Sequence, residues 1–587
     1  MITKKDIEQF FDLEAEASKK SWEALMDLPV NERIRKRKAI KSVFLDRDYN
    51  GKSEENYHLI KVKIGINLSD FKEGECLILH KEDTSSGIPC RLNKFEEDNE
   101  LILEVFPPDM PSSLDSYYDK SLLLDKDKVD LRDNVYYPFI YQLPSSNEFW
   151  ESLILNKLNK PTFENEEECE NFLQETIRSF SLELLPTQRE AVRNSMMAKD
   201  YYLIQGPPGT GKSFVLGIII LEELFDLKHN VIIIGPNHLS INNAMGQILK
   251  LYPDLSIVYT KIGQSYNAPT LKVTKEDKEY KITNVPYLNV SWGTKLNSEY
   301  KLNWLMGLTP HALYTRRARG LECDTLIIDE AGQMTIPLAL MGIIKAKKVI
   351  FAGDHKQLPP IISSDKISDD MRESAFKRLI SDENCTMLDT SFRMCKPICD
   401  FVSDLFYDGK LKSIKSSHSN SLICNDPLYS FDSPVVLYEV EDEGEQASDK
   451  EANFIAGLIA KFISKGIKGS DIAVVSPFRA QAANIRRHIR KREDIPHEEK
   501  HSIVSETIDK MQGQEREVII YSLVSGNIDY MIEMAEFLYN PNKMNVAFSR
   551  AKSKLVIVGS LSKIQNINLT DYPHIQKMMK SRHAVRI

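Results

Sequence analysis

The chain has 587 residues, of which 42% are hydrophobic and 27% are charged. This composition excludes a chain that is disordered throughout, because it supplies enough apolar surface for several cores. At about 100 to 200 residues per domain, the length predicts three to five domains. The formal net charge of −9 excludes a uniformly basic nucleic-acid-binding surface but is compatible with a local basic channel.

The eight cysteines are scattered, and only Cys395 and Cys399 lie close together. No Cys-x-x-Cys pair occurs, which argues against a disulfide scaffold and against a zinc or iron–sulfur module. The longest strongly apolar run, Phe214–Leu221, is far shorter than a membrane span, and the first residues lack the apolar core of a signal peptide. We therefore expect a cytoplasmic protein without a membrane segment.

The first segment, to about residue 42, has the pattern of a helix, and basic residues crowd its end. We interpret these residues as a solvated helix face, with a phosphate-contacting arm as the alternative. They are Arg33, Arg35, Lys36, Arg37, Lys38 and Lys41.

A β-rich stretch follows, in which residues 57–66 alternate between apolar and polar side chains with a period of two. Further short strands are predicted at Cys76–His80, Pro89–Phe95 and Leu101–Phe106. Several short strands at this spacing favour a small β-barrel. Helical patterning returns over residues 145–180, so residues 1–180 are expected to form a helical and β-barrel domain.

From about residue 181 the pattern changes to strands that alternate with helices. Continuous Val, Ile and Leu runs between helices predict parallel sheets covered on both faces, and the number of runs predicts two α/β domains. We expect them at residues 181–380 and 381–587, with a polar, Lys-rich insertion at 263–306 in the first. The predicted strands are Tyr201–Gln205, Val231–Pro236, Thr325–Asp329, Lys348–Asp354, Ile472–Phe478, Val518–Val524 and Leu555–Gly559.

A glycine-rich segment follows the first of these strands and precedes an apolar helix. It reads Gly206-Pro207-Pro208-Gly209-Thr210-Gly211-Lys212-Ser213 and is a complete P-loop. Its glycines let the backbone N–H groups approach phosphate oxygens closely enough to donate hydrogen bonds to them. The ammonium group of Lys212 can bind the β- and γ-phosphates, and the hydroxyl of Ser213 can coordinate Mg²⁺. The sequence therefore predicts a site for ATP and Mg²⁺.

A second motif places Asp329 and Glu330 at the end of an apolar strand. Asp329 can hold Mg²⁺ through its water shell, and Glu330 can orient or deprotonate an attacking water. Because water needs its own positioning carboxylate, the pair favours a hydrolase over a kinase. Phosphoryl transfer also needs cations on the developing charge, and Arg393 and Arg550 are candidates, with structural salt bridges as the alternative.

Further motifs follow in order between about residues 181 and 560. They are Leu185–Gln188, Gly353–Pro360, Ser391–Met394 with Phe406–Leu411, Val475–Phe478 with Gln481, Thr507–Glu515, and Asn545–Lys552. Their identity and order resemble the superfamily 1B helicases, the group of the nonsense-mediated-decay and immunoglobulin-mu-binding helicases. The segment Gly353–Pro360 is highly specific for this superfamily.

The resemblance implies two tandem RecA-like P-loop domains with ATP in the cleft between them, preceded by a helical stalk that carries the barrel. Residues 263–306 lie where the family has an insertion. The residues implied at ATP are Gln188 at the adenine edge, Phe392 stacked on the base, Glu515 at the ribose, Gln357 at the γ-phosphate, and Arg393 and Arg550 as fingers across the cleft.

The resemblance also implies that single-stranded DNA or RNA crosses both α/β domains, through contacts that are mainly to phosphate and sugar. The residues carried over are Pro236, Asn237, Thr309, Pro310, Ser476, Pro477, Phe478 and Thr507. The chain departs from the family at the segment Gly235-Pro236-Asn237-His238, which replaces a Ser-Asn pair, and at Lys543-Met544, which replaces Arg-Leu.

The leading hypothesis is an ATP-dependent helicase that moves 5′→3′ on single-stranded nucleic acid and unwinds duplexes. One alternative is a nucleic-acid-dependent ATPase that remodels protein–nucleic acid complexes with little unwinding. Another is an ATP-gated binding subunit that works with protein partners in a larger complex, against which the intact Lys212, Glu330, Arg393 and Arg550 argue. The sequence leaves the choice between DNA and RNA open.

Overall fold

The computed structural model contains an N-terminal barrel followed by two α/β sheets. It describes residues 2–49, 51–53, 57–65, 67–71, 73–81, 84–96, 99–105, 109–143, 166–252, 258–262, 271–275, 278–285, 303–315, 318, 320–415, 433–511, 514–564, 566 and 568–587. None of the helices in these ranges combines the length and the apolar character that a bilayer crossing requires.

The N-terminal strands form a closed antiparallel barrel, which confirms the prediction of a small barrel. Six strands close it within the described ranges, and Gly51–Lys52 extends it at one edge. In spatial order they are Ala39–Leu45, Leu122–Lys126, Cys76–His80, Ile88–Glu96, Glu100–Val105 and His58–Ile64. Val43 lies opposite Ile64 in the pairing that closes the ring, and alternate residues of the strands fill one apolar core.

The prediction of helix as far as residue 42 was wrong at its end. Helices cover Lys4–Met26 and Val30–Arg35, and the first barrel strand begins at Ala39. Ile40 and Val43 both enter the barrel core although three positions separate them, because the strand bulges at Ser42, where φ is 57°. The bulge gives a strand the i, i+3 apolar spacing of a helix, which explains the error.

The first helix spans two parts of the molecule. Ile7, Phe10 and Phe11 pack into the core of the first α/β sheet, where Phe11 meets Phe139 at a ring distance of 5.9 Å. Near the other end of the helix, the indole N–H of Trp22 donates to the carbonyl of Lys126 on the barrel at 2.8 Å. The helix therefore connects the barrel to the first α/β domain.

The first α/β sheet has nine strands in the described ranges, all parallel except for one antiparallel hairpin at its edge. Their spatial order is Leu271–Lys275, Lys278–Val285, Val258–Ile262, Trp304–Gly307, Val231–Ile234, Cys323–Ile328, Ala346–Gly353, Tyr201–Gln205 and Cys385–Met387. Tyr201 and Leu203 face one apolar core, and Tyr202 and Ile204 face another. The sheet is thus covered on both faces, as the continuous apolar runs predict.

The second sheet is parallel and is also buried on both faces. In spatial order its described strands are Val504–Thr507, Ile472–Ser476, Arg516–Ser522, Ala551–Gly559, Val435–Glu439 and Val585–Arg586. Ile519 and Tyr521 enter one core, while Val518 and Ile520 enter the other. A separate parallel pair, Thr390–Cys395 with Lys412–Lys415, lies between the two sheets in the sequence.

Helices connect these strands. Before and within the first sheet they are Tyr137–Gln142, Glu166–Ser179, Pro186–Met197, Lys212–Phe225, His238–Leu251, Ile336–Ile343, Asp369–Arg372 and Ala375–Leu379. Around the second sheet they are Lys396–Phe406, Asp449–Ser464, Arg479–Lys491, His497–Ser502, Ile528–Glu533, Ala535–Leu538, Pro541–Phe548, Leu561–Ile564 and Pro573–Met579. The helix predicted over 145–180 is described only from Glu166.

The pairing of the strands disagrees with two predicted boundaries, the start of the second α/β domain and the end of the insertion. Cys385–Met387 pairs with Tyr201–Gln205 in the first sheet, although the second domain was expected to begin at residue 381. Trp304–Gly307 is an inner strand of the first sheet, although the predicted insertion extends to residue 306. We therefore propose a domain boundary after Met387 and an insertion that ends before Trp304. Residues 263–270, 276–277 and 286–302 of that insertion lie outside the described ranges.

Candidate active site

The P-loop joins the strand Tyr201–Gln205 to the helix Lys212–Phe225 at the carboxyl edge of the first sheet. Gly209 and Gly211 have φ angles of 74° and 81°, which favour glycine. A Cβ atom on Gly209 would lie 2.5 Å from Cβ of Arg393, so a larger residue there would push away the second domain. The glycine at this position thus lets the loop lie close to the strand that follows the first sheet.

Lys212 and the two carboxylates at the end of the neighbouring strand form one cluster. The ammonium Nζ of Lys212 lies 2.6 Å from Oδ1 of Asp329 and 2.9 Å from Oε1 of Glu330. The Lys212 side chain is 12% exposed and the Asp329 side chain 2% exposed. The structure therefore brings Lys212 to two adjacent carboxylates that lie 117 and 118 positions further along the chain.

Burial and charge have opposing effects in this cluster. Burial disfavours the charged form of Lys212, but the charges of Asp329 and Glu330 outweigh it and raise the pKa of Lys212. Burial also raises the pKa of Asp329. The pKa of Glu330 is lowered, because the Lys212 charge outweighs the effect of burial. Glu330 therefore keeps its negative charge at neutral pH.

Glu330 has the left-handed backbone conformation, with φ 55° and ψ 38°. This conformation is uncommon for a residue with a Cβ atom, and such strained residues tend to cluster at functional sites. The side-chain amide of Gln333 donates to Oε2 of Glu330 at 3.2 Å, so the carboxylate is held from both sides.

The second domain contacts the P-loop directly through the strand Thr390–Cys395. The backbone N–H of Phe392 donates to the carbonyl of Gly209 at 2.8 Å, and the hydroxyl of Ser391 donates to the carbonyl of Pro208 at 2.9 Å. The Phe392 ring is 40% exposed, and its edge lies 4.0 Å from the position a Cβ atom on Gly211 would occupy. An aromatic face is therefore available beside the P-loop.

Three basic side chains of the second domain lie around this contact. Nε of Arg393 lies 2.6 Å from Glu515, and Nζ of Lys552 lies 2.8 Å from the other oxygen of the same carboxylate. Arg550 is 5% exposed, and its Nε has no hydrogen-bond partner among the described residues. Glu515 thus has two cationic partners, whereas Arg550 is a buried cation with an unused donor.

Burial lowers the pKa of Arg550 to about 10, and the like charge of Arg393 adds to the effect. Glu330 interacts electrostatically with Arg550 from the other side of the cleft. The guanidinium keeps its charge at neutral pH, so its burial favours an anionic ligand. The structure therefore brings Lys212 and Glu330 of one domain together with Arg393 and Arg550 of the other.

Gln188 lies beside the loop and is 3% exposed. Its side-chain oxygen accepts from the N–H of Leu185 at 3.1 Å, and its side-chain nitrogen donates to the carbonyl of Thr210 at 3.1 Å. The side-chain amide of Gln357 donates to Oδ2 of Asp354 at 2.9 Å. Both amides are thus oriented by neighbours in the first domain.

The predicted nucleic-acid residues lie at the carboxyl ends of parallel strands, the usual ligand-binding edge of an α/β sheet. Pro236 and Asn237 follow Val231–Ile234, and Thr309 and Pro310 follow Trp304–Gly307. In the second sheet, Ser476 ends one strand and is followed by Pro477 and Phe478, and Thr507 ends the strand beside it.

Their exposure divides these residues into two groups. Asn237 is exposed, and Pro236, Thr309, Pro477 and Phe478 are half-buried. The three that are buried are Pro310, Ser476 and Thr507. Asn237 also caps the helix His238–Leu251 by accepting from the N–H of Ser240 at 3.0 Å. Sequence reasoning did not indicate this second, structural role.

Sequence reasoning assigned no role to several residues that join the two domains. The Tyr407 hydroxyl donates to Asp354 at 2.6 Å, and the Asn545 amide donates to Tyr407 at 2.8 Å. The Asn542 amide donates to the carbonyl of His355 at 3.0 Å. Tyr407, Asp354 and Asn545 all lie inside recognised motifs, but only the tertiary structure reveals that they meet.

Comparisons with known proteins agree with these features. Two family models, both described as an AAA domain, match residues 183–306 and 305–365 and residues 371–562, which together make up more than half of the 587 residues. The DNA polymerase alpha-associated DNA helicase A of Schizosaccharomyces pombe is 27% identical over 447 residues, which cover 66% of this chain and 65% of that protein. An uncharacterised ATP-dependent helicase of Methanocaldococcus jannaschii is 26% identical over 465 residues, with 64% and 67% covered.

The regulator of nonsense transcripts 1 of Dictyostelium discoideum is 27% identical over 421 residues, which cover 65% of this chain and 31% of that protein. The matched part thus spans about two thirds of the first two relatives and about one third of the third. The matched models, the relatives and the order of motifs from Leu185 to Lys552 agree with one another. The chain belongs to the superfamily 1B helicases.

Proposed function

We propose that the chain is an ATP-dependent helicase that moves 5′→3′ along single-stranded nucleic acid and unwinds duplexes. The observation that carries this proposal is the arrangement of charges in the cleft. Lys212 and Glu330 of the first domain face Arg393 and Arg550 of the second, so one bound triphosphate would contact both domains. Closing and opening of the cleft would then follow ATP binding and hydrolysis.

Within this site each residue has a distinct proposed role. Lys212 binds the β- and γ-phosphates, Glu330 orients and deprotonates the attacking water, and the two arginines stabilise the charge of the transition state. The lowered pKa of Glu330 keeps its carboxylate ionised and able to orient a water molecule, and the buried charge of Arg550 supports its role toward an anionic ligand. The remaining proposed contacts are Gln188 at the adenine edge, the P-loop backbone from Gly206 to Ser213 at the phosphates, Phe392 on the base, Gln357 at the γ-phosphate, and Glu515 at the ribose.

Mg²⁺ fits the donors at this site. No group of three or more His, Cys, Asp and Glu residues in the described ranges could hold a metal ion by itself. Mg²⁺ at nucleotide sites uses one or two protein oxygens together with phosphate oxygens and water. The Ser213 hydroxyl and the Asp329 carboxylate are such donors, and they would hold the ion. When bound, Mg²⁺ would neutralise charge on the phosphates.

We propose that the nucleic acid runs along the carboxyl edges of both sheets. This placement uses the exposed or half-buried residues Pro236, Asn237, Thr309, Pro477 and Phe478, with Pro310, Ser476 and Thr507 supporting them. We also propose that the two sheets are RecA-like domains and that the first helix, Lys4–Met26, is part of a stalk that carries the barrel. The contacts of Phe11 and Trp22 support this assignment.

ATP hydrolysis measured without nucleic acid, with single-stranded DNA and with single-stranded RNA, at one low salt concentration, tests the proposal. We expect strong stimulation by at least one polymer, which also identifies the track. Glu330→Gln is the control, since it should bind ATP and not hydrolyse it. An ATP hydrolysis rate that neither polymer changes would contradict the proposal.

Duplexes with a single 5′ or 3′ overhang test unwinding and its direction. We expect unwinding from the 5′ overhang. If the duplex stays intact while a protein bound to it is displaced, the chain is a remodelling ATPase. If tight ATP-dependent strand binding accompanies very slow hydrolysis, it is an ATP-gated binding subunit.

A further inference from the structure

The hydroxyl of Tyr407 bridges the two α/β domains. Tyr407 follows the helix Lys396–Phe406 of the second domain, its ring packs in that domain's core, and it is 3% exposed. Its hydroxyl donates to Oδ2 of Asp354, in the first domain, at 2.6 Å. It accepts from the side-chain amide of Asn545, in the second domain, at 2.8 Å.

Asp354 is a buried carboxylate, 4% exposed, held by neutral donors. Besides Tyr407, it accepts from the side chains of Gln205 at 3.2 Å and Gln357 at 2.9 Å, and from the N–H of Lys356 at 3.1 Å. Hydrogen bonds to an ionised acceptor are about twice as strong as neutral ones, and a buried carboxylate that loses a donor is costly. Tyr407 is thus one of a small set of groups that fix Asp354.

The other partners of Asn545 strengthen the connection. The same amide donates to the carbonyl of Lys356 at 2.7 Å, so the helix Pro541–Phe548 is fastened to the segment that contains Gln357. Arg550 lies two residues beyond the end of this helix. A change in the distance between the domains would therefore stretch the hydrogen bond from Tyr407 to Asp354 and move Gln357 relative to Arg550.

We propose that Tyr407 is a positioning residue, which holds Asp354, and through it Gln357, in register with Arg550 when the cleft is closed. The inference rests on the ATPase proposed above. It adds that the hydrogen bond between Tyr407 and Asp354 couples the position of the second domain to that of the first. Burial and the neighbouring Asp354 charge keep the pKa of Tyr407 well above its usual value, so the phenol stays a donor throughout the physiological range.

Tyr407→Phe tests the proposal because it keeps the ring and removes the hydroxyl alone. We expect kcat of the nucleic-acid-stimulated ATPase to fall by about 10-fold to 100-fold, as for loss of a hydrogen bond to a charged group, while KM for ATP stays within about twofold. Tyr521→Phe is the matched control, since the Tyr521 hydroxyl is buried in the same domain and has no hydrogen-bond partner among the described residues. It should leave kcat unchanged.

A double variant separates positioning from packing. If Tyr407 acts through Asp354, the effects of Tyr407→Phe and Asp354→Asn on kcat should be strongly non-additive. Additive effects, or a Tyr407→Phe kcat within twofold of that of the native chain, would overturn the inference while leaving the proposed ATPase intact.

Hydrogen exchange gives a readout that does not depend on turnover. Tyr407→Phe should speed exchange of the amides at 355–357, and Tyr521→Phe should not. Unchanged exchange in Tyr407→Phe overturns the inference whether or not the native chain hydrolyses ATP. A native chain that fails to hydrolyse ATP refutes the proposed function instead.

Discussion

The carboxylate of Glu14, in the first helix, accepts hydrogen bonds from the backbone N–H groups of Ser363 and Ser364. The distances are 2.9 Å from one oxygen to each nitrogen, and 3.2 Å from the other oxygen to the nitrogen of Ser363. This pair of residues follows the Gly353–Pro360 segment, which contains Gln357. The helix that contacts the barrel through Trp22 therefore also holds the backbone just beyond the candidate active site.

Glu14→Gln should loosen that hold, because a neutral amide accepts more weakly than a carboxylate. We expect faster hydrogen exchange at Ser363 and Ser364, with global stability lowered by about 1 kcal/mol. Glu16→Gln is the control, since Glu16 lies on the same helix and pairs with Lys20 on the surface. Equal exchange in the native chain and in Glu14→Gln would show that the contact does not order the segment.

Most of the long central strands of both sheets could be predicted because each is a continuous run of β-branched and apolar residues, although Val435–Glu439, which has the same character, was missed. Trp304–Gly307, Cys385–Met387 and Val504–Thr507 were missed, since each has only three or four residues and no clear period. Such short segments become strands through pairing with long neighbours, as Cys385–Met387 does with Tyr201–Gln205. That information is tertiary.

The candidate site divides in the same way. The P-loop could be predicted because its residues are consecutive and its chemistry follows from their spacing. The partners of Asp354 could not, because Tyr407 lies 53 positions away and reaches it across the domain boundary. Arg33 was assigned to a solvated basic face, and that assignment was wrong, because the side chain is buried against a carboxylate that is 92 positions away.

The buried pair of Arg33 and Asp125 connects the helical segment to the barrel. Nε and Nη2 of Arg33 donate to the two oxygens of Asp125 at 2.8 and 3.0 Å, and His80 lies 2.9 Å from the same carboxylate. Asp125→Ala should destabilise the barrel by about 3 to 5 kcal/mol, because it leaves the Arg33 charge buried without its partner. Hydrogen exchange of the barrel amides in denaturant measures the loss.

Asp70→Ala is the matched control for Asp125→Ala. Asp70 pairs with Arg37 at 3.2 Å, but both side chains are more than half exposed. Exposed pairs of this kind contribute about 0 to 1 kcal/mol, so the barrel should keep its stability. Similar losses in the two variants would mean that burial does not set the strength of the Arg33 pair.

The buried carboxyl group of Glu451 should make the stability of the folded chain depend on pH. It is 1% exposed, and its Oε1 accepts from the Ser522 hydroxyl at 2.6 Å and from the N–H of Val524 at 3.3 Å. Burial raises the pKa of Glu451 from 4.5 to about 8. Between these values the folded chain holds a proton that the unfolded chain has released, so stability is full below pH 4.5 and falls as the pH rises to 8.

Glu451→Gln should remove most of that fall, because the amide stays neutral. We expect the native chain to lose more unfolding free energy than the variant between pH 5 and pH 9, by on the order of 1.4 kcal/mol for each unit by which the pKa is raised. Denaturant unfolding at the two pH values measures this. Glu498→Gln, at an exposed glutamate, should leave the pH dependence as it is in the native chain.

Arg550 gives the sharpest prediction for the candidate site. Its charge is buried, its Nε has no hydrogen-bond partner within the described ranges, and Glu330 acts on it from the facing domain. If the guanidinium stabilises the transition state, Arg550→Ala should lower kcat by about 1,000-fold and leave KM for ATP less affected. Arg492→Ala is the control, because Arg492 lies in the same domain and pairs with Asp494 at the surface. A loss of kcat below about tenfold in Arg550→Ala, with Arg492→Ala unchanged, would assign Arg550 a structural role and leave Arg393 as the candidate finger.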